Sequence, residues 1–402
     1  MEKQKCPELR FKGFIQSWDE IRLGDATNCY SGGTPSVGIK SFYGGDIPFI
    51  RSGEINDSKT ELFLTEEGVE NSSAKLVQKN DVLYALYGAT SGEVSLSKIN
   101  GAINQAILAI IPCHSIESEF IVYWLKKAKT KILSNYLQGG QGNLSAEIVK
   151  NLIVNIPHTS DDTEQTQIGH FFQNLDQSIA LHEKKLTQTQ NFKKAMLEKM
   201  FPKAGSMQPE VRLKGFSGDW FETTVGNIST SFSGGTPSVL EKSFYGGEIP
   251  FIRSGEISDI STELFLTKSG LENSSAKLVE KGTILYALYG ATSGEVSISL
   301  ISGAINQAIL AIKPINKNST LFLASWLRLN KMRILETYLQ GGQGNLSGQI
   351  VKNIAIQMPC SFEEQLKIGQ LFKQLDQTLL LQQQQLQTLK NLKQAFLEKM
   401  FV

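Results

Sequence analysis

The chain has 402 residues, and 40 Lys plus Arg against 39 Asp plus Glu give a formal net charge of only +1, so no strongly basic or acidic class of protein is indicated. With 41% hydrophobic and 20% charged residues, the composition is that of a folded protein of two or three domains, which excludes wholesale disorder. No apolar run approaches the roughly 18 residues of a membrane helix and the N-terminus lacks a signal-peptide core, which predicts a cytoplasmic protein with no membrane contact.

Residues 1–157 are predicted to form a mixed α/β domain. The stretch 19–157 is rich in Gly, Ser, Thr and β-branched residues, and short apolar runs such as IPFI, DVLYALY and AILAII alternate with Gly-containing turns, which is typical of strands. Between Ser118 and Tyr136 apolar residues recur at three- and four-residue intervals, which predicts one amphipathic helix.

Residues 158–205 are predicted to form a long spacer helix. This stretch is polar, and its apolar residues alternate at four- and three-residue intervals, as the a and d positions of a heptad do. A helix of about 33 residues is roughly 50 Å long, and so narrow a seam is stable only against a second helix. The predicted seam residues are Ile168, Phe172, Leu175, Ile179 and Leu186.

The second half of the chain repeats the first. SGGTPS at residues 31–36 returns at 233–238, an offset of 202, and YALYGATSGEVS at 84–95 returns unchanged at 286–297. A repeat of about 200 residues is a duplicated domain with its connector, since solenoid repeats span 20–50 residues. We therefore predict a second α/β domain at 206–359 and a second spacer helix at 360–402.

The second spacer carries the same seam, and the obvious partner for each helix is the other copy. We expect the two helices to form an antiparallel coiled coil, with the domains related by a pseudo-two-fold axis. The seam residues of this copy are Ile368, Phe372, Leu375, Leu379 and Leu386.

In its order of motifs the chain resembles the specificity subunit of type I restriction-modification systems, over nearly its whole length. The motifs are the openings PELRFKGF (Pro7–Phe14) and PEVRLKGF (Pro209–Phe216), each followed by a Trp, the Asn-Gln pairs at 104–105 and 306–307, the Leu-Ser pairs at 144–145 and 346–347, and GxxFxxLD at 169–176 and 369–376. Each is weak alone, but their order is repeated twice.

The resemblance implies two α/β (α+β) target recognition domains separated by spacer helices. It also implies a subunit without chemistry of its own, which binds double-stranded DNA and joins two methyltransferase subunits and, for cleavage, restriction/translocase subunits. No cofactor is implied.

The residues themselves give no sign of catalysis or of a metal site. Gly88–Glu93 has Glu where a P-loop requires Lys, and the Gly-rich stretch 139–142 follows a helix, whereas a dinucleotide fingerprint follows a strand. The four cysteines form no CxxC pair, and all four histidines lie in the first half. We therefore predict free thiols and no metal.

Four Gly-containing polar loops in each domain carry side chains that read base edges. Arg suits guanine, and Gln or Asn suits adenine. The other interpretation is that the loops merely turn the chain and that Arg51 and Glu54 form a local ion pair. The predicted DNA-binding residues are Thr34, Arg51, Ser52, Tyr87, Thr90, Ser91, Gln138, Gln141 and Asn143, with Thr236, Arg253, Ser254, Tyr289, Thr292, Ser293, Gln340, Gln343 and Asn345 in the second copy.

Six lysines are candidate phosphate contacts, although ordinary solvated surface explains each of them separately. They are Lys75, Lys79 and Lys150, with Lys277, Lys281 and Lys352 in the second copy.

Because the two domains are nearly equal, we expect a split, near-palindromic target with half-site centres roughly 34 Å apart. Two rival hypotheses remain at this point. One is a self-contained DNA-modifying enzyme with an unfamiliar site, and the other is a scaffold protein whose coiled coil is its function.

Overall fold

The computed structural model describes residues 6–113, 116–137, 143–158, 162–203, 205–315, 318–339 and 345–402. The chain forms two compact units, Met1–Glu183 with Gln384–Val402, and Lys184–Gln383. We call them unit 1 and unit 2. The domain boundaries expected from the sequence, 1–157, 158–205, 206–359 and 360–402, follow chain order and stay predictions.

The elements of the two halves of the chain repeat one another in order. The first half contains β1 (Asp19–Arg22), α1 (Leu23–Ala26), β2 (Thr27–Ser31), β3 (Tyr43–Ile50), β4 (Leu62–Leu64), α2 (Glu66–Glu70), β5 (Lys75–Val77), β6 (Val82–Ala85), β7 (Val94–Leu96), β8 (Gly101–Ile103), β9 (Ile107–Pro112), α3 (Ser118–Tyr136), α4 (Ala146–Lys150), β10 (Ile153–Ile156) and α5 (Asp162–Lys199). The second half contains β11 (Phe221–Thr224), α6 (Val225–Ile228), β12 (Ser229–Ser233), β13 (Tyr245–Ile252), β14 (Phe265–Leu266), α7 (Lys268–Glu272), β15 (Lys277–Val279), β16 (Ile284–Ala287), β17 (Val296–Ile298), β18 (Gly303–Ile305), β19 (Ile309–Pro314), α8 (Thr320–Leu329), α9 (Lys331–Tyr338), α10 (Gly348–Asn353), β20 (Ala355–Met358) and α11 (Phe362–Met400).

Two four-stranded sheets form the centre of unit 1, with strand orders β2-β9-β6-β7 and β4-β3-β8-β5, beside a two-stranded pair of β1 and β10. Unit 2 repeats this topology with β12-β19-β16-β17, β14-β13-β18-β15 and β11-β20. The pairs are antiparallel except β3 with β8 and β13 with β18, which run parallel. The fold class predicted from the sequence is confirmed.

Successive side chains of β6 point to opposite faces of its sheet and join two different hydrophobic cores. Val82 and Tyr84 join a core shared with α3, whereas Leu83 and Ala85 join a second core that includes Ile50 and lies between the two sheets. Because neighbouring side chains of a strand point to opposite faces, a strand that is apolar throughout must be covered on both sides. The uninterrupted apolar run VLYA of β6 is therefore an inner strand of its sheet.

The long helices complete each unit as part of its core. In unit 1 the start of α5 and the end of α11 run antiparallel, because Asp176 pairs with Lys393 while Glu183, further along α5, pairs with Lys390, earlier in α11. In unit 2 the end of α5 meets the start of α11 through Lys193 and Asp376. The residues of the predicted seam are all buried or half-buried, while most of their neighbours are exposed.

The repeat implies one continuous helix in the second domain, equivalent to α3, but the structure has two helices there, α8 and α9. Asn330 ends α8 and precedes α9, and its side-chain amide donates to the carbonyl of Trp326 at 2.9 Å, alongside its own backbone N–H at 3.1 Å. The equivalent residue of the first copy is Ala128, and α3 is continuous there. Among the described residues, no helix is long and apolar enough to span a bilayer.

Candidate nucleic-acid interface

Three loops of unit 1 meet at one end of the sheet that contains β2, β9 and β6. The last residue of β2, Ser31, pairs with Leu108, and the last residue of β6, Ala85, pairs with Ile107. The loops that follow β2 and β6 and the turn that precedes β9 therefore lie together. Their close packing explains the glycines of SGGTPS, because a Cβ on Gly32 would lie 1.8 Å from the carbonyl oxygen of Ile103.

Gln105 joins these loops through its side-chain amide. Thr34 Oγ1 donates to Gln105 Oε1 at 2.6 Å, and the Tyr87 hydroxyl also hydrogen-bonds the Gln105 side chain. Burial raises the pKa of Tyr87, and the bond to Gln105 opposes that shift only in part, so the hydroxyl stays protonated near neutral pH. Gln105 itself is exposed, so an amide of fixed orientation faces solvent.

A fourth loop reaches the same place. Asn143 forms an isolated antiparallel bridge with Tyr87, and the next residue, Leu144, donates its N–H to the carbonyl of Leu86 at 2.9 Å. We call Thr34, Tyr87, Gln105 and Asn143 the four-loop cluster of unit 1. Sequence reasoning missed Gln105 as a site residue, although the repeated Asn-Gln pair was the available signal. The predicted residues Gln138, Gln141, Gln340 and Gln343 lie outside the described residues.

Arg51 lies at the same end of the fold, but carboxylates hold its guanidinium. Because β3 and β8 are parallel with Ile50 beside Ile103, the residues that follow them, Arg51 and Asn104, emerge at one edge. Arg51 Nε and Nη2 donate to Glu54 at 3.1 and 2.8 Å, and Nη2 also donates to Glu61 at 2.7 Å. The local ion pair weighed as the alternative is therefore present, and a second carboxylate joins it.

The predicted hydroxyl side chains behave differently from one another. Ser91 Oγ donates to the carbonyl of Leu86 at 2.9 Å, so it stabilises its own loop. The backbone carbonyl of Thr90 accepts a hydrogen bond from the N–H of Glu93 in the same turn. The side chain of Thr90 is half-buried. Ser52 begins a short 3-10 turn directly after Arg51.

The candidate lysines do not gather at one place. Lys75 pairs with Ile103 in β5, at the end that carries the cluster. The Lys79 N–H bonds Asn100, which precedes β8, and Lys150 lies against Gly24, which precedes β2. Lys79 and Lys150 therefore lie at the ends of β8 and β2 that are opposite to the cluster. Along β2, the distance from Thr27 to Ser31 is about 14 Å. That Lys79 and Lys150 contact DNA phosphates stays a prediction, and their distance from the cluster does not support it.

Unit 2 reproduces the cluster. Thr236 donates to Gln307 at 2.6 Å, and Leu346 N–H bonds the carbonyl of Leu288 at 2.9 Å, as in unit 1. Tyr289 and Asn345 therefore occupy the positions of Tyr87 and Asn143, and these four residues form the four-loop cluster of unit 2. Arg253 again pairs with Glu256, at 2.8 Å, and with Glu263. Ser293 Oγ donates to the carbonyl of Leu288, as Ser91 does to Leu86. The other predicted residues lie at positions equivalent to those of unit 1, namely Ser254, Thr292, Lys281 and Lys352.

The ion pair beside the cluster predicts a pH dependence of stability. Burial would raise the pKa of Glu54, but hydrogen bonds from the Arg51 guanidinium and from the backbone N–H groups of Arg51 and Glu61 outweigh it and lower the pKa to about 2. A carboxyl with a folded pKa below its unfolded value of about 4.3 stabilises the fold above that pH and loses this effect as the pH falls toward 2.

The test compares the wild type with Glu54→Gln in denaturant titrations at several pH values. We expect the difference in free energy of unfolding to be constant above about pH 5 and to shrink steadily below about pH 4. The equivalent Glu256, whose pKa is also lowered to about 2, first by its hydrogen bond with Arg253, gives a second measurement. A difference that does not vary with pH would show that this carboxyl is not held ionised by Arg51.

The cluster offers hydrogen-bond donors and acceptors rather than reactive groups. Its members are hydroxyl and amide side chains, which suit the edges of bases. In the part of the chain that the structure describes, no group of three or more His, Cys, Asp or Glu side chains is placed to hold a metal ion.

A family model described as the type I restriction modification DNA specificity domain matches the chain twice, at residues 15–191 and 217–391. Over 307 residues, 71% of this chain and 69% of the relative, the chain is 26% identical to the type I restriction enzyme MjaIX specificity subunit of Methanocaldococcus jannaschii. It is also 26% identical over 180 residues, 42% of the chain and 44% of the relative, to the EcoR124I/EcoR124II specificity subunit of Escherichia coli.

Solved structures share the fold. The crystal structure of a type I restriction-modification system S subunit from M. genitalium superposes with a TM-score of 0.67 at 19% identity and covers 99% of both chains. A chain from a study of complex assembly and conformational transition of the type I R-M system superposes with a TM-score of 0.53 at 18% identity, over 96% of this chain and 98% of that one.

Proposed function

Because this chain belongs to the family defined by the type I restriction modification DNA specificity domain, which its two matches show, we propose that it is the sequence-recognition subunit of a type I restriction-modification complex. The resemblance stated from the sequence motifs is thereby confirmed. We propose that each unit reads one half of a bipartite target in double-stranded DNA.

The observation that carries the proposal is the four-loop cluster, whose residue types, Thr-Gln hydrogen bond and Leu-Leu backbone hydrogen bond are the same in both units. Specific readout needs donors and acceptors that are held in a fixed orientation, because a mobile side chain does not distinguish one base edge from another. Thr34 and Tyr87 orient the exposed Gln105 amide in this way. An amide can contact adenine at N6 and N7 through one oxygen and one N–H.

The chain is proposed to have no catalytic role, in keeping with its family. Adenine methylation is assigned to two methyltransferase subunits, and cleavage to restriction/translocase subunits that join the same assembly. The net charge of +1 supports this division, because nonspecific DNA affinity comes mainly from Lys and Arg at phosphates and an almost neutral chain supplies little of it. The partners are expected to provide the rest.

The target is proposed to contain the same short element twice. The two clusters use identical residue types, so both units present the same donors and acceptors. The inverted orientation of the two elements and the spacing of about one helical turn remain predictions. The loops differ at Gly38-Ile39 against Leu240-Glu241 and at 56–59 against 258–261, so the two elements need not be identical at every base.

The experiment co-expresses the chain with its methyltransferase subunit and maps methylated adenines by single-molecule sequencing. We expect one bipartite motif with closely similar halves. Two unrelated half-sites would contradict the equal-unit proposal, and methyl transfer by the purified chain alone with S-adenosylmethionine would favour an enzyme instead. A methylation pattern unaffected by the chain would favour a scaffold.

Gln105→Leu supplies a sharper test within the same assay. This change removes the hydrogen bonds to Thr34 and Tyr87, and a lost base-edge contact reduces discrimination by about 1–3 kcal/mol, roughly 5- to 150-fold. We expect base preference to relax in one half-site only. Gln307→Leu should relax the other half-site, so each variant controls for the other, and an equal loss in both halves would indicate a general folding defect.

A further inference from the structure

Arg51 is held by two carboxylates that differ in character. Glu54 has only 12% of its side chain exposed and bonds the backbone N–H groups of Arg51 and Glu61 at 3.0 and 3.2 Å, as well as the Thr60 hydroxyl at 3.2 Å. It is therefore part of the loop itself. Glu61 has 82% of its side chain exposed and reaches the same guanidinium nitrogen from outside. The first contact is structural, whereas the second is free to exchange.

The same arrangement occurs in unit 2 although the loop between the two carboxylates has changed. Residues 56–59 read Asn-Asp-Ser-Lys, and residues 258–261 read Ser-Asp-Ile-Ser, so three of four positions differ. Arg253 nevertheless contacts a largely covered Glu256 and an exposed Glu263. The Arg with two carboxylates is thus retained within a loop that has otherwise diverged.

There is room beside Arg51 for another acceptor. An open cavity of about 470 Å³ lies against the guanidinium, and its lining residues include Glu54, Asp57, Lys59 and Glu61. Three carboxylates and two cations surround it, so its wall carries a net negative charge. Such a wall disfavours a phosphate group, whereas the neutral edge of a base meets much less repulsion.

We propose that Glu61 and Glu263 determine how strongly each unit rejects non-target DNA, by competing with the duplex for Arg51 and Arg253. This inference rests on the proposed function. An exposed ion pair stabilises little, so a guanine that offers O6 and N7 together replaces Glu61 readily. Where the target guanine is absent, the contacts that DNA offers the arginine are mainly phosphate oxygens, and Glu61 keeps its place and repels them.

The test uses the full chain in complex with its methyltransferase subunit, as wild type and as Glu61→Gln/Glu263→Gln. Dissociation constants are measured on target and non-target duplexes over a range of salt concentrations. We expect non-target binding to tighten, the ratio of target to non-target affinity to fall about three- to tenfold, and the non-target salt slope to steepen by about one per unit. Glu70→Gln/Glu272→Gln is the matched control, because these residues are exposed at equivalent positions of α2 and α7 and the charge change is the same.

The outcomes separate this inference from the proposed function. If the wild-type complex discriminates and Glu61→Gln/Glu263→Gln keeps the affinity ratio of the Glu70→Gln/Glu272→Gln control, the inference is wrong. Equal tightening on both duplexes also overturns it, since that is a general charge effect. If the wild-type complex shows no sequence preference, the proposed function fails and the role of Glu61 fails with it. Single variants assign the effect to one half-site each.

Discussion

Replacing Phe401 with alanine is expected to destabilise unit 1 by about 3–5 kcal/mol, the usual loss for a fully buried phenylalanine. The ring is 3% exposed, and its centroid lies 5.2 Å from that of Phe120, 5.8 Å from Phe172 and 6.3 Å from Trp18. It therefore connects the domain helix, the spacer helix and the opening segment of the chain. Removing it leaves a cavity among all three.

Hydrogen exchange detected by mass spectrometry measures this loss unit by unit. We expect faster exchange in residues 6–183, with unit 2 unchanged. Phe201→Ala should give the converse result, because Phe201 stacks on Phe372 and packs against Trp220 and Phe322 in unit 2. Phe192→Ala, at a half-exposed site on α5, is expected to stay within about 0.5 kcal/mol of the wild type. A loss under 1 kcal/mol for Phe401→Ala would contradict the packing role.

Replacing Arg10 with alanine is expected to lower the free energy of unfolding by about 3–5 kcal/mol, because it leaves the buried charge of Glu164 without its partner. Glu164 is 1% exposed, and both its oxygens accept from Arg10, with Nη2 to Oε2 at 2.7 Å. Arg10 lies in the repeated opening motif, and the preceding residue, Leu9, donates its N–H to the carbonyl of Lys399 at 2.9 Å. The motif thus attaches the opening segment to both long helices of unit 1.

Denaturant unfolding of Arg10→Ala, Glu164→Leu and the double variant tests this explanation. The double variant should be more stable than Arg10→Ala, since replacing both partners removes the unpaired charge. Lys12→Ala, at an exposed position two residues away, is the control and should change little. Arg212→Ala is expected to have the same effect in unit 2, where Arg212 pairs with the buried Glu364. If the double variant were no more stable than Arg10→Ala, the unpaired charge would not be the cause.

Much of the fold is predictable from local pattern. The apolar runs around Ile50, Leu83 and Ile110 are strands, and the four-three spacing from Ile168 onward is a long helix, because periodicity reports which face of an element is covered. The break at Asn330 was not anticipated, since the apolar spacing on either side of it is helical. Patterns of apolar residues do not specify the backbone conformation of a single polar residue between two helical turns.

The site was predictable in part, and the reason lies in sequence distance. Thr34, Tyr87 and Asn143 were proposed as separate loop residues, but their meeting point, Gln105, depends on how β2, β6 and β9 are ordered in the sheet. Arg51 was proposed as a reader of bases, whereas its second partner, Glu61, lies ten residues away across a loop. The position of Lys150 at the far end of β2 could not be predicted for the same reason, because local composition does not determine the order of strands in a sheet.

The make-up of unit 1 has a consequence for the order in which the protein is assembled on the ribosome. Residues 184–383, all of unit 2, leave the ribosome before residues 384–402, which carry Leu397, Met400 and Phe401 into the core of unit 1. The half that is synthesised first is therefore the last to close. Until then Trp18 and Phe120 lack part of their cover, so nascent unit 1 exposes apolar surface throughout translation of the second half.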